Sequence, residues 1–415
     1  MSTFADILSA RVRASGARPA AGPEGACVDA RGRVCTICHA STVSYADEKP
    51  LRTKALEEYV RKQRLRGQLA PLVAARTGRG YRVVTKRKAF RNGRHAVLGL
   101  IDRAPDGRSR PMAVLRCAIE PRAHGDVYRV VQEKLDKPYA SPLAAVLLHV
   151  VVKGGEEEQT VLFSVNEISR DVAHALNTLS KSLTHELPSV VAVYLFLDES
   201  RGTHYLGTKH PRKQPEFRRV YGKADVQERL GDVSFFFHPL AFSQVHPAVS
   251  VLIAGTLAAQ LEPGPTQTLY DFYCGYGFFT LMLAPRVRHS IGVELSPHAV
   301  DSAIANARRL GRTNARFHRA DVTAEVVQKI MHRAGPDDVV VLDPPRGGAA
   351  PGVIESIASR APRRVAHLVC DIELLASDCA RWTRSGYTVS SITPFDMFPG
   401  TDDIELLLIL HPTQS

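Results

Sequence analysis

In the last quarter of this 415-residue chain, Asp343-Pro344-Pro345-Arg346 is followed by Cys370 and then by Asp396-Met397-Phe398-Pro399-Gly400-Thr401-Asp402-Asp403-Ile404-Glu405. A thiolate is both a strong nucleophile and a competent leaving group, so a cysteine here can open and close a covalent step. A carboxylate placed after it can accept a proton. Neither residue is informative alone, since a cysteine is most often a buried small hydrophobe. Their order is informative, because the strand-like run Val339-Val340-Val341-Leu342 delivers Asp343 to a turn that two prolines make rigid.

Elements must bring these residues together, and from about residue 235 strands and helices alternate in the pattern of a parallel sheet covered on both faces. Thr268 to Asp271 reads as the first strand, Ser290 to Glu294 as the second, and Val339 to Asp343 as a later one. A helix opens at Ser296-Pro297, with a capping hydroxyl and a proline in its first turn. The loop Asp271-Phe272-Tyr273-Cys274-Gly275-Tyr276-Gly277 follows the first strand, and its glycines let the backbone approach a bound cofactor closely. Glu294, 23 residues after Asp271, ends the second strand, where a carboxylate can hold ribose hydroxyls; Asp321 closes a third and could face an adenine amino group. Two glycines without the full G-x-G-x-x-G spacing leave a dinucleotide and S-adenosyl-L-methionine as alternatives. The Asp-Pro-Pro turn favours the methyl donor, because enzymes that methylate planar bases hold the flipped base against such a turn.

These residues resemble the RNA (uracil-5-)-methyltransferase family over most of the chain from Cys27 onward. Phe242-Ser243-Gln244-Val245-His246-Pro247 is similar to the family's Phe-x-Gln-x-Asn-Pro segment. Asp271-Phe-Tyr273-Cys-Gly, Asp343-Pro-Pro-Arg-x-Gly and Asp-Met-Phe-Pro-x-Thr-x-x-x-Glu405 follow in the family's order, and Cys370 stands eight residues before Asp378, as in the family pattern. The resemblance implies that Gln244, Tyr273, Glu294 and Asp343 contact the methyl donor, that Cys370 is the nucleophile and that Glu405 is the base. It implies a covalent route. Addition of Cys370 to uracil C6 makes C5 able to attack the sulfonium methyl, and removal of the C5 proton then expels the cysteine. Arg346 would hold a phosphate or carbonyl of the target nucleotide.

The chain departs from the family at four places. Asp371 stands where the nucleophile is usually followed by Asn, Asp403 replaces a His, His246 replaces an Asn, and Phe278 stands where some members have a donor-contacting Asn. A carboxylate beside Cys370 is expected to raise the thiol pKa. The departures motivate a second reading, a catalytically silent RNA-binding or ribosome-assembly relative.

Cys27-x7-Cys35-x2-Cys38 has ligand spacing, and Cys117 can supply a fourth thiolate. Spacing leaves structural zinc and a [4Fe-4S] cluster open. The resemblance favours the cluster, because the bacterial relatives that modify 23S rRNA carry one near the N-terminus. It therefore favours 23S rRNA over tRNA as substrate.

Composition agrees with a polyanionic partner: the formal charge is +12, and Arg52 to Arg94 holds fourteen Lys or Arg against Glu57 and Glu58. Within it Arg82, Lys86, Arg87, Lys88 and Arg91 are densest, interleaved with Tyr81 and Phe90. Seven cysteines over a long chain argue against a disulfide framework, so a reducing, cytoplasmic setting and no membrane association are expected, with the protein a monomer. The fold expected is α/β. A disordered tail (1–22) precedes an iron–sulfur segment and a mixed α+β, mainly antiparallel RNA-binding domain (23–235). A Rossmann-like, doubly wound class I methyltransferase domain (236–415) follows.

Overall fold

A computed structural model describes residues 3–16, 35, 37–65, 67–92, 95–103, 109–114, 117–200 and 216–413. The chain divides into two compact units, one built from 1–16, 46–76 and 229–415 and the other from 17–45 and 77–228.

The larger unit contains the alternating half. Its main sheet, among the described residues, has eight strands in the order 68–69, 387–395, 405–412, 364–369, 339–342, 268–272, 289–294, 315–319. Thr268–Phe272 pairs in parallel with His289–Glu294 on one side and with Val339–Leu342 on the other. The chain thus reverses its direction of sheet growth beside that strand, and the loops leaving its C-terminal end border the crevice where such sheets bind ligands. Glu405–Pro412 enters antiparallel between Arg364–Val369 and Tyr387–Phe395. The strands read from Val, Leu and Ile runs form because both faces are covered: Val339, Val340, Val341 and Leu342 are all fully buried. The helix predicted at Ser296 spans Pro297–Arg309, with the Ser296 side chain accepting from Ala299 N–H.

Two segments differ from expectation. The supposed disordered tail contains a helix, Phe4–Ala14, capped by Thr3 and burying Phe4, Ile7, Leu8 and Val12. Those four residues form an i, i+3, i+4, i+8 stripe that the surrounding Arg and Ala conceal in composition. The basic run that starts at Arg52, expected as an RNA-facing surface, begins instead inside a helix, Tyr45–Lys62, that buries Arg52. Beyond it Arg64 and Gly67 take positive φ, and Gln68–Leu69 joins the edge of the large sheet beside Tyr387–Phe395.

The second unit holds a seven-stranded sheet in the order 109–112, 95–103, 84–92, 147–154, 159–165, 190–197, 217–222. It is antiparallel except where Gln159–Val165 runs parallel to Val190–Leu197, joined through the helix Arg170–Glu186. Val127, Val131, Leu176 and Leu179 from helices meet Val150, Val152, Phe163 and Leu195 from strands in its core. Among the described residues, no helix is long and apolar enough to cross a membrane.

Candidate active site

Three strands end on the same small volume. Asp343 follows Val339–Leu342, Cys370 follows Arg364–Val369, and Glu405 opens Glu405–Pro412. Ligand atoms of all three side chains lie within 4.8 Å of one another, with Glu405 buried and the other two half-buried. The Cys370 thiol faces Asp343 Oδ1 at 3.9 Å and the Pro344 carbonyl at 3.5 Å. The parallel pairing of 339–342 with 364–369, and the antiparallel pairing of the latter with 405–412, make this convergence a property of the sheet.

Crowding three acids in a dry site sets their protonation. Burial, then Glu405 and then Asp343 push the Cys370 thiol well above its usual value, and Arg346 opposes them. Burial and the Glu405 charge likewise raise Asp343. Burial pushes Glu405 up to about 7, against its hydrogen bond with Cys370 and the Arg346 charge. Glu405 is thereby placed to change its protonation near neutral pH.

Asp371, the residue expected to burden the thiol, does not face it. Its carboxylate accepts the Glu373 N–H at 3.0 Å and caps the short 3-10 turn Ile372–Leu374. The carboxylates that raise Cys370 are Glu405 and Asp343. Arg346 donates to Asp403 Oδ2 at 2.8 Å and lies 5.8 Å from the Phe398 ring centroid, so Asp403 serves as the guanidinium's partner.

The glycine loop occupies the neighbouring strand end. Tyr273 has φ 67°, Gly275 φ 55° and Gly277 φ 85°. A Cβ on Gly277 would sit 3.0 Å from Phe317 Cζ, so the loop needs glycine there for conformation and for space. Glu294 is tied to this loop, accepting from Gly275 N–H at 3.2 Å and Ser296 N–H at 2.7 Å. Burial raises its pKa against those hydrogen bonds. The Tyr273 hydroxyl donates to Val322 O at 3.3 Å and accepts from Ala350 N–H at 3.4 Å. Asp321 is exposed, and its charge acts on that tyrosine.

Gln244 is half-buried three residues before the helix Pro247–Leu261 and makes no hydrogen bond among the described residues. His246 is buried at that helix's N-cap, and Phe278 is buried edge-on to Phe235. The sequence reading passed over two features. Asp271 is fully buried, with Oδ2 bonded to Thr280 Oγ1 and Oδ1 lacking a partner among the described residues. Arg52 is buried in the larger unit, although it looked like part of a basic surface. The Glu48/Arg52 spacing of one helical turn is the signal that could have found it.

In the second unit, Cys35 is buried with Met112 and Val114, and Cys38 packs on Ala40, Tyr81 and Ile119. Cys117 packs against both groups. The Ser41 hydroxyl donates to the carbonyls of Cys35 at 2.6 Å and Cys38 at 3.2 Å, tying the short loop together. Cys27 lies outside the described residues. Arg87, counted with the basic patch, is buried in a two-point pair with Glu120 at 2.6 and 2.7 Å and lies over the Tyr128 ring. Lys86 and Lys88, on either side of it, are exposed.

Residues 226–412 match the model of the tRNA (Uracil-5-)-methyltransferase family. An uncharacterized RNA methyltransferase of Nostoc sp. is 35% identical over 202 residues, 48% of this chain and 43% of that protein. Another, from Halalkalibacterium halodurans, is 28% identical over 266 residues, 64% of this chain and 56% of that protein. The chain spans about half the length of the curated relatives it matches. Among solved structures, Pyrococcus abyssi tRNA (uracil-54, C5)-methyltransferase in complex with S-adenosyl-L-homocysteine aligns with a TM-score of 0.62 at 20% identity, covering 91% of this chain and 87% of that one. That likeness establishes a common fold.

Proposed function

We propose that this chain, whose residues 226–412 match the tRNA (Uracil-5-)-methyltransferase family model, transfers a methyl group from S-adenosyl-L-methionine to C5 of a uridine in RNA, with 23S rRNA as the substrate. The observation that carries this reading is the meeting of Asp343, Cys370 and Glu405 within 4.8 Å. Cys370 adds to C6 of the uracil and its proton passes to Asp343, the carboxylate facing it. The electron pair released onto the ring lets C5 attack the sulfonium methyl, leaving S-adenosyl-L-homocysteine. Glu405 then takes the C5 proton, the C6–sulfur bond breaks, and Asp343 returns the thiol proton. Arg346 holds the target nucleotide, while Gln244, Tyr273, Glu294 and Asp343 contact the donor.

Cys117 packs against the group that holds Cys35 and the group that borders Cys38, which supports a metal site completed by Cys27, and four soft thiolates suit a [4Fe-4S] cluster or zinc. Of the two we propose the cluster, as the family resemblance implies. Iron, sulfide and visible absorbance after anaerobic purification would support it, and one zinc per chain without iron would replace it. The protein is taken to act as a monomer in the cytoplasm.

Trapping on 5-fluorouridine RNA tests the mechanism, since the fluorine cannot leave as a proton does. With donor present, the wild type should form a denaturant-stable protein–RNA adduct on 23S fragments and Cys370→Ala should not. Trapping on tRNA transcripts alone would move the substrate to tRNA. A folded, donor-binding protein that traps neither RNA would be a silent relative.

A further inference from the structure

The turn that delivers Glu405 is fastened from a helix 349 residues earlier in the chain. Arg52, in the Tyr45–Lys62 helix, is 0% exposed. Its Nε lies 3.0 Å from Asp396 Oδ1, one terminal nitrogen donates to Thr401 O at 2.5 Å, and the other donates to Asp403 O. Glu48, one helical turn earlier and also 0% exposed, accepts the Gly400 N–H at 2.6 Å and lies 3.5 Å from Arg52. Residues 396, 400, 401 and 403 of one connecting turn are therefore held by two side chains. A planar guanidinium with donors in a fixed fork can satisfy a carboxylate and two carbonyls together. Burial makes these bonds costly to exchange, because no water replaces them.

What the turn positions gives the contact its meaning. Asp403 is gripped by Arg52 at its carbonyl and bonded to Arg346 by its carboxylate at 2.8 Å. Glu405 lies two residues further on, paired with Phe395 across the hairpin. We propose that Arg52, with Glu48, is a positioning residue: it holds the 396–404 turn so that Glu405 faces Cys370 and Asp403 faces Arg346. The proposal rests on the reading above, in which Glu405 removes the C5 proton. That proton is abstracted only after methyl transfer. A displaced Glu405 should therefore leave the Cys370–C6 bond intact, and methylated protein–RNA adduct should accumulate on ordinary uridine RNA.

The test compares wild type with Arg52→Met, Arg52→Lys and the milder Glu48→Gln, whose amide oxygen can still accept from Gly400. Donor affinity by calorimetry reports folding, and 5-fluorouridine trapping reports thiol addition and methyl transfer without the base. Adduct on ordinary RNA, measured on denaturing gels, reports the final step. In Arg52→Met, turnover should fall about 10²-fold, the low end for loss of a general base. Donor affinity and trapping should stay within about threefold of wild type, ordinary adduct should rise, and Arg52→Lys should recover part of the turnover. Wild-type turnover in Arg52→Met, or trapping and turnover falling together while donor still binds, would overturn the proposal. If Arg52→Met fails to bind donor, Arg52→Lys decides: reduced turnover with accumulated adduct supports the proposal and wild-type behaviour sinks it. Failure of the wild type itself to trap would remove the underlying reading instead.

Discussion

Cys370 is a poor acid in the resting protein, and its neighbours explain why. Burial, Glu405 and Asp343 all penalise the thiolate, while Arg346 is the nearby charge that favours it. Under the proposed mechanism the thiol stays protonated until substrate gives it an electrophile, which would protect it from stray oxidation. The sign of each neighbour's effect can be checked through the pH dependence of Cys370 alkylation by iodoacetamide. Removing the Glu405 charge with Glu405→Gln should move the alkylation midpoint to lower pH, chiefly above pH 7 where that carboxyl is ionised. Arg346→Met should move it to higher pH. An unchanged midpoint in both would mean that burial alone sets the thiol. At this scale the order of Asp343, Cys370 and Glu405 along the chain was legible, and the run Val339–Leu342 placed Asp343 at a strand end; the strands that carry Cys370 and Glu405 were not read. The direction of Asp371 was not legible: adjacency in sequence cannot show that the side chain after Cys370 turns to cap Glu373.

Elements distant in sequence support the two ends of this site. The Phe4 N–H donates to Glu373 Oε1 at 2.8 Å, and the Tyr59 hydroxyl donates to Ile372 O at 3.1 Å, so both N-terminal helices brace the turn just after Cys370. The Arg52 helix braces the turn before Glu405 as well. The alternating half was readable at Val339–Leu342, an apolar run closed by Asp343, and at the strands ending beside Asp271 and Glu294. These helices were not: a four-residue stripe hides among arginines, and a buried arginine looks the same in sequence as an exposed one. Phe4 meets the Tyr59 ring edge-on at 6.2 Å and is 0% exposed. Phe4→Ala should therefore destabilise the larger unit by about 3 to 5 kcal/mol. Arg11→Ala, which removes a partly exposed pair with Glu58, should cost at most about 1 kcal/mol. Trp382, the sole tryptophan and fully buried in that unit, gives a fluorescence signal for urea denaturation. Equal losses in the two variants would show that the helix is not docked through its apolar stripe.

For the whole molecule, the net charge of +12 is the property that composition alone supplied, and it constrains the partner more than the fold. The structure sorts that charge. Arg52 and Arg87 are committed to buried pairs, whereas Lys86 and Lys88 project from alternate positions of the strand Val84–Asn92 on either side of Arg87. A count of basic residues therefore overstates the RNA footprint, and salt dependence can measure the true one. On a single strand, the logarithm of the binding constant falls with the logarithm of salt with a slope near −0.7 for each phosphate neutralised. If both lysines contact phosphate, Lys86→Ala combined with Lys88→Ala should reduce the slope by about 1.4 and leave donor affinity unchanged. Arg87→Ala should behave differently. It leaves Glu120 buried without its partner, so it should lower thermal stability while the salt slope of the remaining folded protein stays close to wild type. A slope that the lysine pair leaves untouched, measured by fluorescence anisotropy on a 23S rRNA fragment across a salt series, would place the RNA contact on another part of the surface.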